Sequence, residues 1–449
     1  MQAKKASLLL FAIMLVMLTL SACGGGKEPA PSSNPSNTEK NNNAETKNPP
    51  DNSGETVKLN FYAQYSGLEK GVYDAARDEL KKVMPNVEVE FEVAAQDDEQ
   101  KIKTYAAAGT LPDIFFASSG LIETLKKSEH LMILDEYVEK HNIESLLNES
   151  SKPMLRNKDG HSYTVPNVGQ WAGVIYYNKD LFEKHNVKVP ENYDEFLAAV
   201  KAFAATDITP LSVFAKEKWP GVLLLDMATV GYDVEGIKKL DNGEGNFSDE
   251  AFSKAVHKVA ELVSAGLLSK NAFNTTADDA NALFTSEKAA MFVNGSWGMG
   301  SIEEKLGDKL GMLFTPLKDA DIADNVKWNV SGGGFNQGFA VSKNSKHKEI
   351  AAEYAALFSI EFAKQRVIQI GDPNSILVED IEPNGGFTAI QKFYAEQSAN
   401  FQTMTTFAWG YENAKFKTMI EDNSQKLLAG QSPEKFIEET NKALEQARK

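Results

Sequence analysis

From Val57 onward the chain alternates short strand-like and helix-like segments, and this order restricts the fold more than any bulk property does. VKLNFYA (57–63) alternates well enough for a strand, and GLEKGVYDAARDELKKV (67–83) has the spacing of an amphipathic helix. VEVEFEV (87–93) alternates strictly, as a strand with one wet face does. A helix over Gln96–Ala107 breaks at Gly109, PDIFFAS (112–118) reads as a buried strand, and Leu121–Lys127 is helical again. Strands separated by helices imply a parallel sheet with right-handed crossovers. Ligands of such open sheets sit beyond the carboxyl ends of the strands. The turns Gln64-Tyr65-Ser66 and Ser118-Ser119-Gly120 therefore become candidate site segments.

A second unit is expected to open at VPNVGQWAGVIYYNKDLF (165–182). The polar turn PNVGQ leads into Trp171, AGVIYY is short, β-branched and aromatic, and Asn178 or Asp180 caps a helix. Trp171 would then face a cleft. Further on, the pattern predicts helices over Tyr193–Ala205, from about Pro220, Ser248–Ala265 (capped by Ser248) and Thr276–Ser286. Strands are expected at LSVFA, AAMFVNGSW, LGMLFTPL and GFAVSK, and Lys318–Asn336, with its SGGG run, reads as a loop. Helices over Lys346–Phe358, Glu361–Gln369, about Tyr411–Ala429 and Pro433–Gln446 complete the chain.

With 449 residues there is enough chain for two lobes with cores of their own. The formal charge of −16 argues against nucleic acid as a partner. Arg77, Arg156, Arg366 and Arg448 are the only four arginines, and clamping an anion usually calls for arginine forks. The six histidines show no metal-ligand spacing, so neither a metal nor a cofactor is expected.

The N-terminus explains the single cysteine. Lys4 and Lys5 precede an apolar run over Ala6–Thr19, too short for a comfortable membrane span, and Leu20-Ser21-Ala22-Cys23 follows. The L-S-A-C pattern resembles a bacterial lipobox. It predicts a signal peptide over 1–22 and a mature N-terminal Cys23 carrying diacylglyceryl and palmitate-type acyl chains; an ordinary signal peptide with a chance cysteine is the alternative. Gly24–Thr56 contains no large apolar residue and reads as a disordered tether with a span of roughly 30 Å. The expected location is the outer face of the cell membrane, with the tether and lipobox suggesting a Gram-positive host and a Gram-negative periplasmic lipoprotein as the alternative.

Four of the five tryptophans, Trp171, Trp219, Trp297 and Trp409, fall at element ends, where clefts are lined. Indole faces stack on the apolar C–H faces of pyranose rings, although a tryptophan at an element end also often plugs a core edge. Trp328 is ambiguous. Neutral donors and acceptors flank these platforms in turns: Gln64, Ser118, Ser119, Gln170, Asn294, Ser296, Asn336 and Gln337. Each could equally be a solvated turn residue. Asp113 reads as a structural cap, and Asp241-Asn242-Gly243-Glu244-Gly245 as a solvated turn rather than a calcium loop. Walker, GxSxG, HExxH and CxxC motifs are absent, so no enzyme is indicated; a glycosidase pair of carboxylates has no sequence signature to exclude.

GTLPDIFFASS, YTVPNVGQWAGVIYYNKDLFEKH, the KEKWP turn, FTSEKAAMFVNGSWGMGSI, GGFNQGFAVSKNSKHKEIAAEYAALF and FAWGYENA, in this order and spacing, resemble the extracellular solute-binding proteins of family 1. These are the maltose-binding-protein-like lipoprotein receptors of ABC sugar importers. The resemblance implies an α/β, two-lobed, hinged periplasmic-binding-protein-like fold of type II, with the ligand cleft between the lobes. The first lobe would comprise 57–165 plus 334–384, and the second 166–333 plus 385–449. Carried over, the site would comprise Gln64, Tyr65, Ser66, Ser118, Ser119, Gln170, Trp171, Trp219, Trp297 and Trp409, with tryptophans on both walls. The partners implied are a carbohydrate, ABC permease subunits and, through the lipid, a membrane; a monomer is expected. Two departures, Ala117 and Trp171 in place of an aromatic and an acidic residue, argue against maltodextrin. A binder of a peptide, polyamine or metal ion, and a surface glycosidase, are the alternatives.

Overall fold

The computed structural model describes residues 56–449 except 96, 98, 323 and 334–336, and leaves the side chains of 68, 324 and 325 undescribed. The expectations for the signal peptide, Cys23 and the tether up to residue 55, and that for Asn336, therefore lie outside the described residues.

Two sheets, each with its own core, give the molecule two lobes. In the first lobe β1 (Val57–Ala63) pairs in parallel with β2 (Val87–Val93) and β3 (Ile114–Ala117), and β9 (Gly338–Val341) closes the order β2-β1-β3-β9 antiparallel to β3. Strict alternation in VEVEFEV is explained by its place: β2 is the edge strand. Helix α1 (Gly67–Val83), α2 (Gln100–Ala108), α3 (Ser119–Lys127) and a 23-residue helix Lys348–Ile370 flank this sheet. Their core joins Phe61, Tyr73, Phe339, Phe358 and Phe362, with Phe61 and Phe339 edge to face at 4.8 Å.

In the second lobe β4 (Trp171–Asn178) runs antiparallel to β6 (Ala289–Gly295), β7 (Leu310–Leu313) and β8 (Asn329–Gly333). Flanking these are β5 (Thr209–Ser212), parallel to β6, and β10 (Thr403–Thr406), parallel to β8. The core here runs from Trp171 to Ala447 and includes Phe416, Leu428 and Phe436 of the two C-terminal helices.

Several expectations are corrected. Residues 331–333 of the SGGG run are not loop but the end of strand β8, and β10 and the helix Ala389–Ser398 were not expected. The two helices expected over 346–369 are one: nothing in Ser359-Ile360 breaks it, and the Ser359 hydroxyl donates to the Ala355 carbonyl at 2.8 Å. Asp249, not Ser248, precedes the helix Glu250–Ser264, and the Ser248 hydroxyl instead accepts from Asn441 at 2.9 Å. The helix expected from Tyr411 begins at Ala414, capped by Asn413, whose Oδ1 accepts from the amides of Lys415 and Phe416.

The chain passes between the cores near 165–171, between β8 and β9, and near 371–388, and described residues flanking these passages touch. A Cβ on Gly338 (φ +154°) would lie 2.1 Å from the Val165 carbonyl oxygen, and one on Gly332 (φ +153°) 2.1 Å from that of Trp171. Only glycine permits both that backbone conformation and that approach. A Cβ on Gly169 would likewise meet the Asn374 carbonyl oxygen at 2.0 Å.

Candidate ligand site

Each of the four tryptophans is delivered by the end of a different element. Trp171 opens β4, its backbone paired with Gly333. Trp219 opens the helix Trp219–Thr229 directly after Lys218, a non-glycine residue held at φ +63°. Its indole N–H donates to Glu217 Oε2 at 3.2 Å, and Glu217 Oε1 accepts the Ala277 amide at 3.0 Å, so the ring orientation is fixed from a second element. Trp297 lies in the single turn Ser296–Gly298 after β6 and folds back over Gly295, where a Cβ would fall 1.8 Å from the ring. Trp409 occupies the turn Ala408–Gly410 after β10.

The four rings converge. Trp171 meets Trp297 edge to face at 4.6 Å and 81°, and Trp409 at 5.8 Å. Trp219 lies 5.0 Å from Trp409 and 6.1 Å from Trp297, and Trp297 lies 5.9 Å from Trp409. Phe407, which sequence reasoning missed, is fully buried at the base of the group, 5.8 Å from Trp171, 5.9 Å from Trp219 and 5.7 Å from Trp409. The only sequence signal for it was its place beside the Ala-Trp-Gly turn. Each such pair adds about 0.5–1.5 kcal/mol beyond area burial, so the group is a stiff wall. Trp171 and Trp219 form its buried layer at 6% and 8% exposure, and Trp297 presents 38% of its surface. Trp328 stands apart, beside Phe314 and Phe401.

All four tryptophans belong to the second lobe. The expectation of aromatic platforms on both walls is thus corrected: one wall is aromatic, and the first lobe brings polar turns. Gln64 and Ser66 are exposed between β1 and α1. Tyr65 is turned into its own lobe, its ring stacked on Phe91 at 4.7 Å and its hydroxyl donating to Asp74 at 2.8 Å. Ser118 is a buried cap: its Oγ accepts the Leu121 amide, and its own amide donates to Glu99. Ser119, half-buried, and Gly120 follow it, and the Gly120 Cβ position lies 3.1 Å from the Tyr411 carbonyl oxygen and 4.0 Å from that of Trp409. The first-lobe turn after β3 is therefore brought to the tryptophan wall. Gln170 is half-buried, its amide donating to the Ser150 carbonyl at 3.5 Å. Asn294 Oδ1 accepts the Gly295 amide, Ser296 Oγ accepts that of Ala172, and Gln337 is buried. Asp113 holds the Asn60 amide and the Ser345 hydroxyl.

Behind the wall, fully buried Asp226 ties the Trp219 helix to both neighbouring strands. Its carboxylate accepts from Ser331 of β8 (2.5 Å), Thr405 of β10 (2.6 Å) and the Ile237 amide (2.7 Å). Burial pushes its pKa above the usual carboxylate value, against the pull of these donors. Asp241 is corrected from a solvated turn residue: its side chain is 1% exposed, pairs with Lys238 at 2.5 Å and accepts the amides of Glu412 and Asn413.

The arginines offer no free fork for an anionic ligand. Arg366 is held between Glu69 and Asp372, Arg77 pairs with Asp74 and Asp78, Arg156 with Asp135 and Glu144, and Arg448 donates to the carbonyls of Leu240, Glu244 and Gly245. Each guanidinium is committed to the protein itself. Among the described residues no group of three or more His, Cys, Asp or Glu is placed to hold a metal ion. No described helix is long and apolar enough to cross a membrane.

Known proteins share this architecture. A chitin oligosaccharide binding protein superposes with a TM-score of 0.76 at 21% identity, covering 88% of this chain and 99% of its own. A protein solved in work on xylan utilization by Caldanaerobius polysaccharolyticus gives 0.77 at 24%, covering 86% and 99%. In sequence, the chain is 27% identical over 222 residues to the Multiple sugar-binding protein of Streptococcus mutans, covering 48% of this chain and 51% of that one. It is 25% identical over 311 residues to an uncharacterized ABC transporter extracellular-binding protein of Pyrococcus horikoshii, covering 67% of this chain and 65% of that one. Both alignments thus span less than two thirds of the relative's own length. The model of the bacterial extracellular solute-binding protein family matches residues 63–359, more than half of the sequence, and the chain belongs to that family.

Proposed function

We propose that this protein captures a neutral carbohydrate, with an oligosaccharide favoured, in the cleft between its lobes and delivers it to the permease of an ABC importer. The observation that carries this is the four-tryptophan wall. It offers apolar ring faces, while the guanidinium groups are bound up elsewhere, a combination that suits sugar C–H faces and not anions. The names of the similar proteins, a multiple sugar-binding protein and a chitin oligosaccharide binding protein, support the same class. The contacting set proposed is Trp297 and Trp409 over a support of Trp171, Trp219 and Phe407. Ser119, Gln64, Ser66 and Gln170 supply hydrogen bonds from the opposite wall and the crossing, with Ser118 shaping the turn. The protein binds and releases its ligand unchanged, as a monomer. The lobes, divided as 57–165 plus 334–384 and 166–333 plus 385–449, close over the ligand about the three touching crossings, in the hinge motion by which periplasmic binding proteins enclose their ligands. Acyl chains on Cys23 hold the body at the outer membrane face, a point that mass spectrometry of the mature N-terminus decides.

Thermal denaturation of the purified 56–449 body against neutral mono- and oligosaccharides tests the reading. A ligand at a hundred times its Kd adds about 2.7 kcal/mol of stability, a shift of several degrees. At least one sugar is expected to produce it. A shift with a peptide, polyamine or metal ion and with no sugar overturns the assignment.

A further inference from the structure

The segment Phe407–Asn413, which carries Trp409, is held from both lobes. On its own side Asp241 accepts the amides of Glu412 (3.0 Å) and Asn413 (3.1 Å), and Lys238 donates to the Gly410 carbonyl at 3.0 Å. From the first lobe, Gly120 meets the Tyr411 carbonyl, and Lys158 Nζ reaches Glu412 Oε2 at 2.8 Å. Glu412 Oε1 stands 3.7 Å from Lys238. Burial works to raise the Glu412 carboxyl, but the two lysines outweigh it and hold it below the usual range.

Both ends of the Lys158–Glu412 contact are prepared in advance. Lys158 sits in the turn Asn157–Gly160, closed by the Gly160 amide donating to the Asn157 carbonyl at 2.8 Å. That turn is mounted on α3: Asn157 Nδ2 donates to Glu123 at 3.2 Å, and Asp159 pairs with Lys126 at 3.1 Å. The helix that presents Ser119 and Gly120 to the tryptophans thus also aims Lys158. The lysine side chain itself is 75% exposed, so the pair contributes little to either lobe's own packing.

We propose that Lys158 and Glu412 form a latch across the mouth of the cleft. The pair exists only when the lobes are together, and it raises affinity for a ligand on Trp409 without touching that ligand. The proposal rests on the interlobe cleft described above. The body as a whole is acidic, and a lysine reaching across the gap counters repulsion between the lobes in the closed form. An exposed pair of this kind is modest in strength and is screened by salt within about 8 Å at physiological ionic strength. The latch therefore tunes the fraction of molecules that are binding-competent, and with it the apparent affinity.

The test compares wild type with Lys158→Gln, Lys158→Glu and Lys158→Arg, all changes at one exposed side chain that leaves the second lobe untouched. First, small-angle X-ray scattering or spin-label distances across the mouth are recorded on ligand-free protein at low and high salt. Wild type and Lys158→Arg are expected to be more closed at low salt than at high, with Lys158→Gln more open than wild type at low salt and Lys158→Glu the most open there. Second, calorimetric titration uses raffinose, xylotriose or chitotriose, whichever raises the melting temperature most. Lys158→Gln should weaken binding about two- to fivefold at low salt, Lys158→Glu further, and Lys158→Arg should restore it. Lobe distances and salt response identical in wild type, Lys158→Gln and Lys158→Glu overturn the latch. The first arm needs no sugar, so failure of the carbohydrate reading leaves the latch decided on its own measurement.

Discussion

Trp171 and Trp297 share a residue type and an edge-to-face contact, but they meet solvent differently, at 6% and 38% exposure. Trp297→Ala should weaken ligand binding at least tenfold, about 1.4 kcal/mol, while costing about 1 kcal/mol or less in stability. Trp171→Ala should weaken binding as well but also lose about 3–5 kcal/mol of stability, because it removes a buried ring against Trp297, Trp409 and Phe407. Calorimetric titration beside urea denaturation separates the two outcomes. Lys318 supplies a second contrast. It is 3% exposed, its ammonium donates to the carbonyls of Val326 (2.9 Å), Lys327 (2.5 Å) and Asn329, and burial lowers its pKa to about 7. The folded state releases this proton near pH 7, whereas the unfolded chain keeps it to about 10.4. The penalty is thus fully present below about pH 7 and is relieved as pH rises above it. Relative to Lys318→Met, wild type should gain about 2 kcal/mol between pH 7 and 9, read from urea midpoints at each pH.

At the scale of elements, the wall depends on β8. Its Gly332 passes so close to Trp171 that an added methyl would strike the carbonyl, and its backbone takes a conformation open only to glycine. Gly332→Ala should therefore cost more than about 2 kcal/mol and loosen Trp171, seen as a lower urea midpoint together with weaker binding. The same glycines hid the strand from sequence reasoning: Asn-Val-Ser-Gly-Gly carries little intrinsic strand preference, and pairing with β4 and β10 overrides it. The short β10, Thr-Met-Thr-Thr, was missed for a related reason, since one partner strand defines it. By contrast, VEVEFEV and AGVIYY were legible because alternation and continuous burial are local signals. The tryptophans were legible as a set, each marked by its element end. That their rings converge into one group was not, because the packing of four element ends against each other is a long-range fact. Phe407 lacked any periodic context.

On the scale of the whole molecule, the first-lobe turn of α3 approaches the second lobe at Gly120, and the proposed binding mode depends on that approach. Gly120→Leu favours the helix by propensity yet fills the space in front of the Tyr411 carbonyl, 3.1 Å from the Cβ position. Melting of the ligand-free protein should be unchanged or slightly raised, while calorimetric affinity falls at least tenfold. A different consequence follows from the wall itself. Four indoles whose ring centres lie 4.6 to 6.1 Å from a neighbour behave optically as one coupled chromophore. Their near-ultraviolet circular dichroism is expected to carry exciton terms from this proximity. A ligand covering Trp297 alone would change the spectrum of the whole group, while Trp328, in its separate aromatic setting, serves as an internal reference. If the proposed cleft is the binding site, it contains its own optical reporter, and occupancy is expected to be readable in the unlabelled protein.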